Sequence, residues 1–151
     1  MPAPDTKPAA ADPPGPVLLF DGECGLCQRV VRLLLRLDRV GRLHFAPLQG
    51  RIAQAYLRRH GLPTEDFDTI ILVPDWGRRD RRDFLVRTNG VVAALREGGS
   101  FGRMLAAGVA VWPERWRDAM YRAIARLRYR VFGPWQPRPL ARAEWARRFL
   151  D

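Results

Sequence analysis

Residues 17–27 read VLLFDGECGLC, and this stretch predicts the first strand and the start of the first helix of the fold. The apolar run from Val17 to Phe20 stands between Gly-Pro and Asp-Gly, which is typical of a short buried strand. From Leu26 to Leu37 apolar residues recur at spacings of three and four, which predicts an amphipathic helix. Cys24 and Cys27 therefore lie between the end of a strand and the first turn of a helix.

The rest of the chain alternates predicted strands with predicted helices. Further strands are expected at Leu43 to Leu48, Thr69 to Val73 and Phe84 to Val86, the last two forming a hairpin. Helices are expected at Ile52 to His60, from the cap Asn89 to Leu95, from Pro113 to Val131, and from Ala141 to Leu150. The stripe of the long helix that includes Trp116, Met120 and Leu127 is expected in the core. The order β-α-β-α-β-β-α followed by helices predicts an α/β sandwich.

Composition indicates one ordinary globular domain. The chain has 151 residues, of which 47% are hydrophobic and 28% charged, and this excludes a wholly disordered or collagen-like protein. Residues 1–16, rich in Ala, Pro, Asp and Gly, are expected to be a disordered tail, and residues 17–151 a single domain with C-terminal helices from about residue 101. No stretch has the pattern of a secretory signal or the length of a bilayer span, so we expect a cytoplasmic protein.

Cys24 and Cys27 are the only cysteines of the chain. Two residues three apart at a helix start have Cβ atoms about 5–6 Å apart, so a disulfide can close and reopen with little movement. The position after a strand, at the carboxyl-end crevice of an α/β sheet, favours redox chemistry, and a permanent disulfide would be unusual in the cytoplasm. Two alternatives stay open. The cysteines could be small buried hydrophobes, or zinc ligands, although His44 and His60 lack the paired spacing of a zinc site.

The helix start gives the two cysteines different expected roles. Unpaired backbone N–H groups and the helix dipole favour an anion there, so Cys24 is expected to be the nucleophile. Cys27, one turn deeper and expected to be more buried, is then the resolving thiol. Asp21 and Glu23 oppose the thiolate form, so we expect only a moderately acidified thiol. Asp21 has two interpretations that can coexist: its carboxylate caps backbone N–H groups of the turn, or it transfers a proton during exchange.

At these residues the sequence resembles the DCC family of thiol-disulfide oxidoreductases, which are named for an Asp-Cys-Cys signature and have a thioredoxin-like fold. The similar stretches are residues 19–27 (LFDGECGLC), 43–49 (LHFAPLQ) and 121–133 (YRAIARLRYRVFG), so the resemblance covers roughly residues 17–135. It implies a thioredoxin-like α/β sandwich with a helical C-terminal extension. It also implies reversible dithiol–disulfide exchange with a protein or small-thiol partner, carried by Cys24 and Cys27 with Asp21 beside them.

The charge of the chain is lopsided, with 26 basic residues against 16 acidic ones and a net charge of +10. Lys7 is the only lysine, and the arginines are spread over several helix faces and one turn. This mixed distribution is typical of solvated faces and disfavours nucleic acid as the partner. An acidic protein or an anionic membrane surface stays open, since Trp112, Trp116 and Trp135 lie near the basic helix.

Two functional hypotheses follow from these patterns. The first is a thiol-disulfide oxidoreductase, for which we expect no cofactor and no metal. The chain has neither a G-x-G-x-x-G nor a Walker pattern, so neither a nicotinamide nor a nucleotide is implied. The second is a non-catalytic basic interaction module that binds an acidic protein or an anionic membrane surface. His44 and His60 are expected to have structural roles in both cases, because neither has an acidic or cysteine neighbour in sequence.

Overall fold

The computed structural model describes residues 15–65, 70–131 and 143–150. Its strands are β1 (Val17–Phe20), β2 (His44–Pro47), β3 (Ile71–Val73) and β4 (Leu85–Val86). Its helices are α1 (Gly25–Leu37), α2 (Arg51–Arg59), α3 (Arg87–Arg96), α4 (Gly99–Ala110) and α5 (Glu114–Val131), and short 3₁₀ segments span Trp76–Arg78 and Ala143–Arg148. The predicted order β-α-β-α-β-β-α is confirmed, and α4 and α5 follow it.

The four strands form one mixed sheet in the order β2-β1-β3-β4. β1 runs parallel to β2 and antiparallel to β3, so Val17 is paired with both His44 and Val73. β4 returns antiparallel to β3, as the predicted hairpin requires. The central strand β1 is buried on both faces, which explains why its sequence is a continuous apolar run rather than an alternating one. The expected thioredoxin-like α/β fold is therefore confirmed.

Two cores lie on opposite faces of this sheet. Because successive side chains of a strand point to opposite faces, Leu18 and Phe20 join one core while Val17 and Leu19 join the other. The first core includes buried residues of α1, α3 and α4, and the second includes those of α2 together with Trp76. Helices therefore cover both faces of the sheet.

The C-terminal segment, residues 143–150, packs beside β2 and is held there by a buried ion pair and a backbone hydrogen bond. The guanidinium of Arg148 donates to the Asp38 carboxylate at 2.5 Å and to the carbonyl oxygen of Leu43 at 2.8 and 2.9 Å. The Leu150 N–H donates to the carbonyl of Phe45 at 2.7 Å, next to a β-bridge between Phe45 and Phe149. The segment thus extends the sheet locally beyond β2.

The packing of α5 differs from the sequence prediction. Trp116, Met120 and Leu127 were expected in the core, but they are 56%, 60% and 48% exposed. The helix packs through its opposite side, where Asp118 accepts a hydrogen bond from the Thr88 hydroxyl and the Tyr121 hydroxyl accepts one from the N–H of Ile70. Hydrogen bonds of Asp118 and Tyr121 therefore attach this helix to the domain, and its apolar stripe faces solvent.

Three predicted boundaries are also corrected. Helix α3 begins at Arg87 after the N-cap Val86, so Asn89 is not a cap; its side chain instead bonds Glu114 and Arg117 of α5. The predicted final helix is a 3₁₀ segment over Ala143–Arg148, and residues 141–142 of that prediction lie outside the described residues. Gly15 and Pro16, assigned to the tail, already accept hydrogen bonds from Trp76 and His44. Residues 1–14 lie outside the described part of the chain.

Candidate active site

Cys24 and Cys27 lie at the carboxyl end of the central strand, as the sequence predicts. β1 ends at Phe20, a short turn follows, and Cys24 is the N-cap of α1 with extended backbone angles of φ −88° and ψ 123°. The carbonyl of Cys24 accepts the N–H of Gln28 at 3.1 Å, which closes the first turn of the helix around Cys27. No disulfide joins the two cysteines in the structure.

The relative burial of the two thiols is the reverse of what was expected. Cys24 is completely buried, with 0% exposure, whereas Cys27 is only half-buried. Cys27 lies one turn before the buried Val31, in the first turn of α1, and packs against the first core as a partly buried residue. The expectation that Cys27 is the deeper thiol is therefore wrong. Access from solvent favours Cys27.

Asp21 is buried at 3% exposure and binds the turn that carries the thiols. Its Oδ1 accepts the N–H of Glu23 at 3.0 Å, and its carbonyl accepts the N–H of Cys24 at 3.3 Å. These contacts are those expected of a carboxylate that caps a turn. A role in proton transfer stays a prediction.

Gln49, which follows β2, also binds this turn, and sequence reasoning did not single it out. Its side-chain Nε2 donates to Asp21 Oδ1 at 2.6 Å, and its Oε1 accepts the N–H of Gly22 at 3.0 Å. Gly22 leaves room for this contact, since a Cβ there would lie 3.2 Å from Gln49 Oε1 and from Pro47 Cβ. A signal was available, because β2 runs parallel to β1 and the residues that follow the two strands meet at one sheet edge.

An apolar groove of about 60 Å³ opens beside Cys27. Its walls come from α1, the residue before β3, α3 and α5, through Leu26, Cys27, Val30, Ile70, Val91, Tyr121, Ile124 and Ala125. The Tyr121 hydroxyl accepts the Ile70 N–H at 2.9 Å and so links α5 to the residue just before β3. Helix α5, 97 residues after Cys24 at Tyr121, thus forms one wall next to the accessible thiol.

The two histidines lie away from the thiols and make structural contacts. His44 begins β2, at the end of the sheet opposite the cysteines, and burial lowers its pKa, an effect opposed by a hydrogen bond to the carbonyl of Arg42. His60 ends α2, where its Nε2 lies 2.7 Å from the carbonyl of Arg79 and its ring packs on Tyr56. Within the described residues no three His, Cys, Asp or Glu side chains are grouped as metal ligands. The expectation of no metal stays a prediction.

The comparisons with known proteins agree with the resemblance noted in the sequence. A profile of the DCC1-like thiol-disulfide oxidoreductase family matches residues 18–134. "Uncharacterized protein YuxK" of Bacillus subtilis (strain 168) is 32% identical over 120 residues, which are 80% of this chain and 82% of that protein. A chloroplastic DCC family protein of Arabidopsis thaliana is 29% identical over 118 residues, which are 78% of this chain and 65% of that protein. No solved structure matches the chain significantly. The chain belongs to the DCC1-like thiol-disulfide oxidoreductase family.

Proposed function

We propose that the protein exchanges a Cys24–Cys27 dithiol or disulfide with the disulfide or dithiol of a protein or small-thiol substrate. The observation that carries this proposal is the placement of two thiols on either side of the first turn of α1, directly after the central strand. Residues three apart at a helix start have Cβ atoms about 5–6 Å apart, which is near the geometry that a disulfide requires. The half-buried Cys27 borders a groove that can admit a ligand. Membership in the family supports the same class of reaction.

In the reducing direction the exchange takes two steps. The Cys27 thiol loses its proton and its thiolate attacks one sulfur of the substrate disulfide; that S–S bond breaks, and the leaving thiolate takes up a proton. The Cys24 thiol then loses its proton and attacks the Cys27 sulfur of the mixed disulfide. The second substrate sulfur leaves as a thiol, and a Cys24–Cys27 disulfide remains. Two electrons pass from the protein to the substrate, and a second dithiol reverses the steps.

The order of attack proposed here follows accessibility. A substrate disulfide must approach the attacking sulfur in line, and the half-buried Cys27 offers that approach while the fully buried Cys24 does not. Asp21 and Gln49 act on the pair through the turn that they hold, so we assign them positioning roles, with proton transfer by Asp21 as the additional hypothesis. We retain the cytoplasm as the proposed location, since its reducing poise keeps such a pair available as thiols.

The test is a redox titration of the pair. The protein is equilibrated in glutathione buffers of graded potential, its thiols are alkylated, and the number of labels is counted by mass spectrometry. Because the chain has two cysteines, Cys24→Ser and Cys27→Ser each leave one and serve as matched controls. We expect the wild type to change from two labels to none in one two-electron step, and neither variant to form an intramolecular disulfide.

The opposite result would be a pair that shows no reversible oxidation at biological potentials. That outcome would overturn the exchange reaction and leave the competing hypothesis, a non-catalytic basic interaction module. A label count that stays at two in the most oxidising buffer, with both thiols accessible after denaturation, distinguishes this outcome from incomplete labelling.

A further inference from the structure

The outer face of α5 is an exposed apolar stripe on an otherwise charged helix. We define it by Trp112, Trp116, Met120 and Leu127, which are 53%, 56%, 60% and 48% exposed. Trp116, Met120 and Leu127 are spaced four and seven apart, which places them on one side of the helix. Trp112 lies two residues before α5 and joins them through its ring, which is 6.1 Å from that of Trp116. Single exposed apolar residues are ordinary, but a continuous row of four large ones marks an interaction surface.

The acidic and basic residues of α5 lie on different sides of the helix. The helix has two acidic residues, Glu114 and Asp118, and both accept hydrogen bonds from α3, through Asn89 and Thr88. Its exposed arginines include Arg115, Arg122, Arg126 and Arg130, whose spacings of seven, four and four place them in a row beside the stripe. The acids thus face the domain, and the surface that α5 presents outward is apolar with a positive border.

We propose that the outer face of α5 binds the surface of an anionic membrane. A helix with Trp, Met and Leu on one side and arginines beside them lies in the plane of a bilayer interface, with the apolar side chains among the acyl chains and the guanidinium groups at the phosphates. The positive border complements anionic headgroups. The proposal concerns attachment to the surface only, since no helix among the described residues is long and apolar enough to cross a membrane.

A second copy of the chain fits this face less well. Two such helices packed antiparallel on their apolar stripes would bring both arginine rows to the same side of the interface, where like charges repel. An anionic lipid surface meets no such opposition. Ile124, one helical turn after Met120 and 44% exposed, lines the groove beside Cys27, so the apolar stripe borders the groove of the accessible thiol. The inference itself does not depend on the exchange reaction.

The experiment is sedimentation of the full chain with two kinds of vesicle. One is pure phosphatidylcholine, and the other is phosphatidylcholine mixed with an equal amount of phosphatidylglycerol. We expect binding to the anionic vesicles, reversed by salt, and little to the neutral ones. Replacing Trp116 and Met120 together by Ser is expected to lower the anionic partition by at least about tenfold. Replacing Arg122 and Arg126 by Gln is expected to lower it by about fivefold for each arginine.

A matched control changes the same charge elsewhere. Arg36→Gln with Arg58→Gln removes two exposed arginines from α1 and α2 and is expected to retain most of the binding. Circular dichroism of each variant establishes that it is folded. Equal losses in the control and in the α5 arginine variant would overturn the proposal in favour of bulk attraction by the net positive charge.

Two further outcomes would also overturn it. One is the absence of binding to anionic vesicles at low salt by the wild type. The other is a dimer in solution that the Trp116 and Met120 replacements dissociate, since a second copy would then occupy the face.

Discussion

Cys24 is fully buried at the N-cap of α1, whereas Cys27, one turn later, is half-buried and borders an apolar groove. Two effects therefore point to different cysteines. The helix N-terminus stabilises a thiolate at Cys24, while access to a substrate disulfide favours Cys27. The dipole stabilises the thiolate by at most about 2 kcal/mol. That stabilisation has no effect on exchange if packing keeps the substrate disulfide away from the Cys24 sulfur.

The exposure difference predicts which thiol reacts first with a small alkylating reagent. In Cys24→Ser, which retains Cys27, we expect labelling of the native protein at nearly the wild-type initial rate. In Cys27→Ser we expect labelling to be several-fold slower, because Cys24 becomes accessible only through local opening. Alkylation that is quenched at a series of times and analysed by mass spectrometry measures both rates. Faster labelling of Cys24 would return the attacking role to that residue.

The carboxylate of Asp21 is expected to oppose thiolate formation in the pair. Asp21→Asn keeps an oxygen that can accept the Glu23 N–H, so the turn is preserved while the negative charge is removed. We expect the rate of alkylation, measured against pH, to reach its midpoint at a lower pH in this variant. Gln49→Ala removes the donor to Asp21 and is expected to move the midpoint the other way. Unchanged midpoints in both variants would limit Asp21 to capping the turn.

Arg148 is expected to contribute to stability through its buried pair with Asp38. The side chains are 10% and 1% exposed, so Arg148→Ala leaves a buried carboxylate without its guanidinium partner. The expected loss in the free energy of unfolding is about 3–5 kcal/mol, measured by urea denaturation. Arg147→Ala, at the exposed neighbouring position, is the control and is expected to change stability by less than about 0.5 kcal/mol. Similar effects for the two variants would contradict the importance of the pair.

His44 is expected to make stability fall on acidification. Burial lowers its pKa from the ordinary 6.5, and the charge of Arg148 adds to this effect, while the carbonyl of Arg42 opposes it. The folded protein therefore binds the proton more weakly than the unfolded chain. As pH falls through 6.5 the unfolded chain is protonated first, so stability decreases until the folded-state pKa is passed. Melting temperatures of the wild type and His44→Gln across this range test the prediction; the variant should show the shallower decrease.

Two glycines of α4 are expected to respond oppositely to alanine. A Cβ at the buried Gly102 would overlap the carbonyl oxygen of Leu95, a backbone atom that cannot move aside cheaply, while a Cβ at the exposed Gly108 meets nothing within 4 Å. Gly102→Ala is therefore expected to destabilise by about 1–3 kcal/mol. Gly108→Ala is expected to stabilise by about 0.5–1 kcal/mol, because alanine loses less backbone entropy in a helix. Thermal unfolding measures both, and a tolerated Gly102→Ala would show that α4 can shift away from α3.

Much of the architecture was predictable because it depends on residues close in sequence. The apolar run of β1, the three-and-four spacing of α1 and the cysteines between them are local patterns, and the structure has each where it was expected. The hairpin of β3 and β4 followed from the same kind of pattern. The boundaries of α3 and the C-terminal segment were less accurate, since they depend on contacts such as Asn89 with α5 and Leu150 with Phe45.

The amino-acid sequence was sufficient to predict that two thiols lie at a helix start after a buried strand, because the apolar patterns that predict a strand and a helix depend only on residues close together in the chain. The tertiary structure alone decided which thiol is accessible and which residues surround it. The hydrogen bond between Gln49 and Asp21 joins residues 28 positions apart, and that between Tyr121 and Ile70 joins residues 51 apart. Periodicity also predicted a helix at α5 but placed its apolar stripe inside. The spacing of apolar residues shows which of them share one face of a helix. Which face packs inward depends on partners elsewhere in the fold, here Thr88 and Ile70.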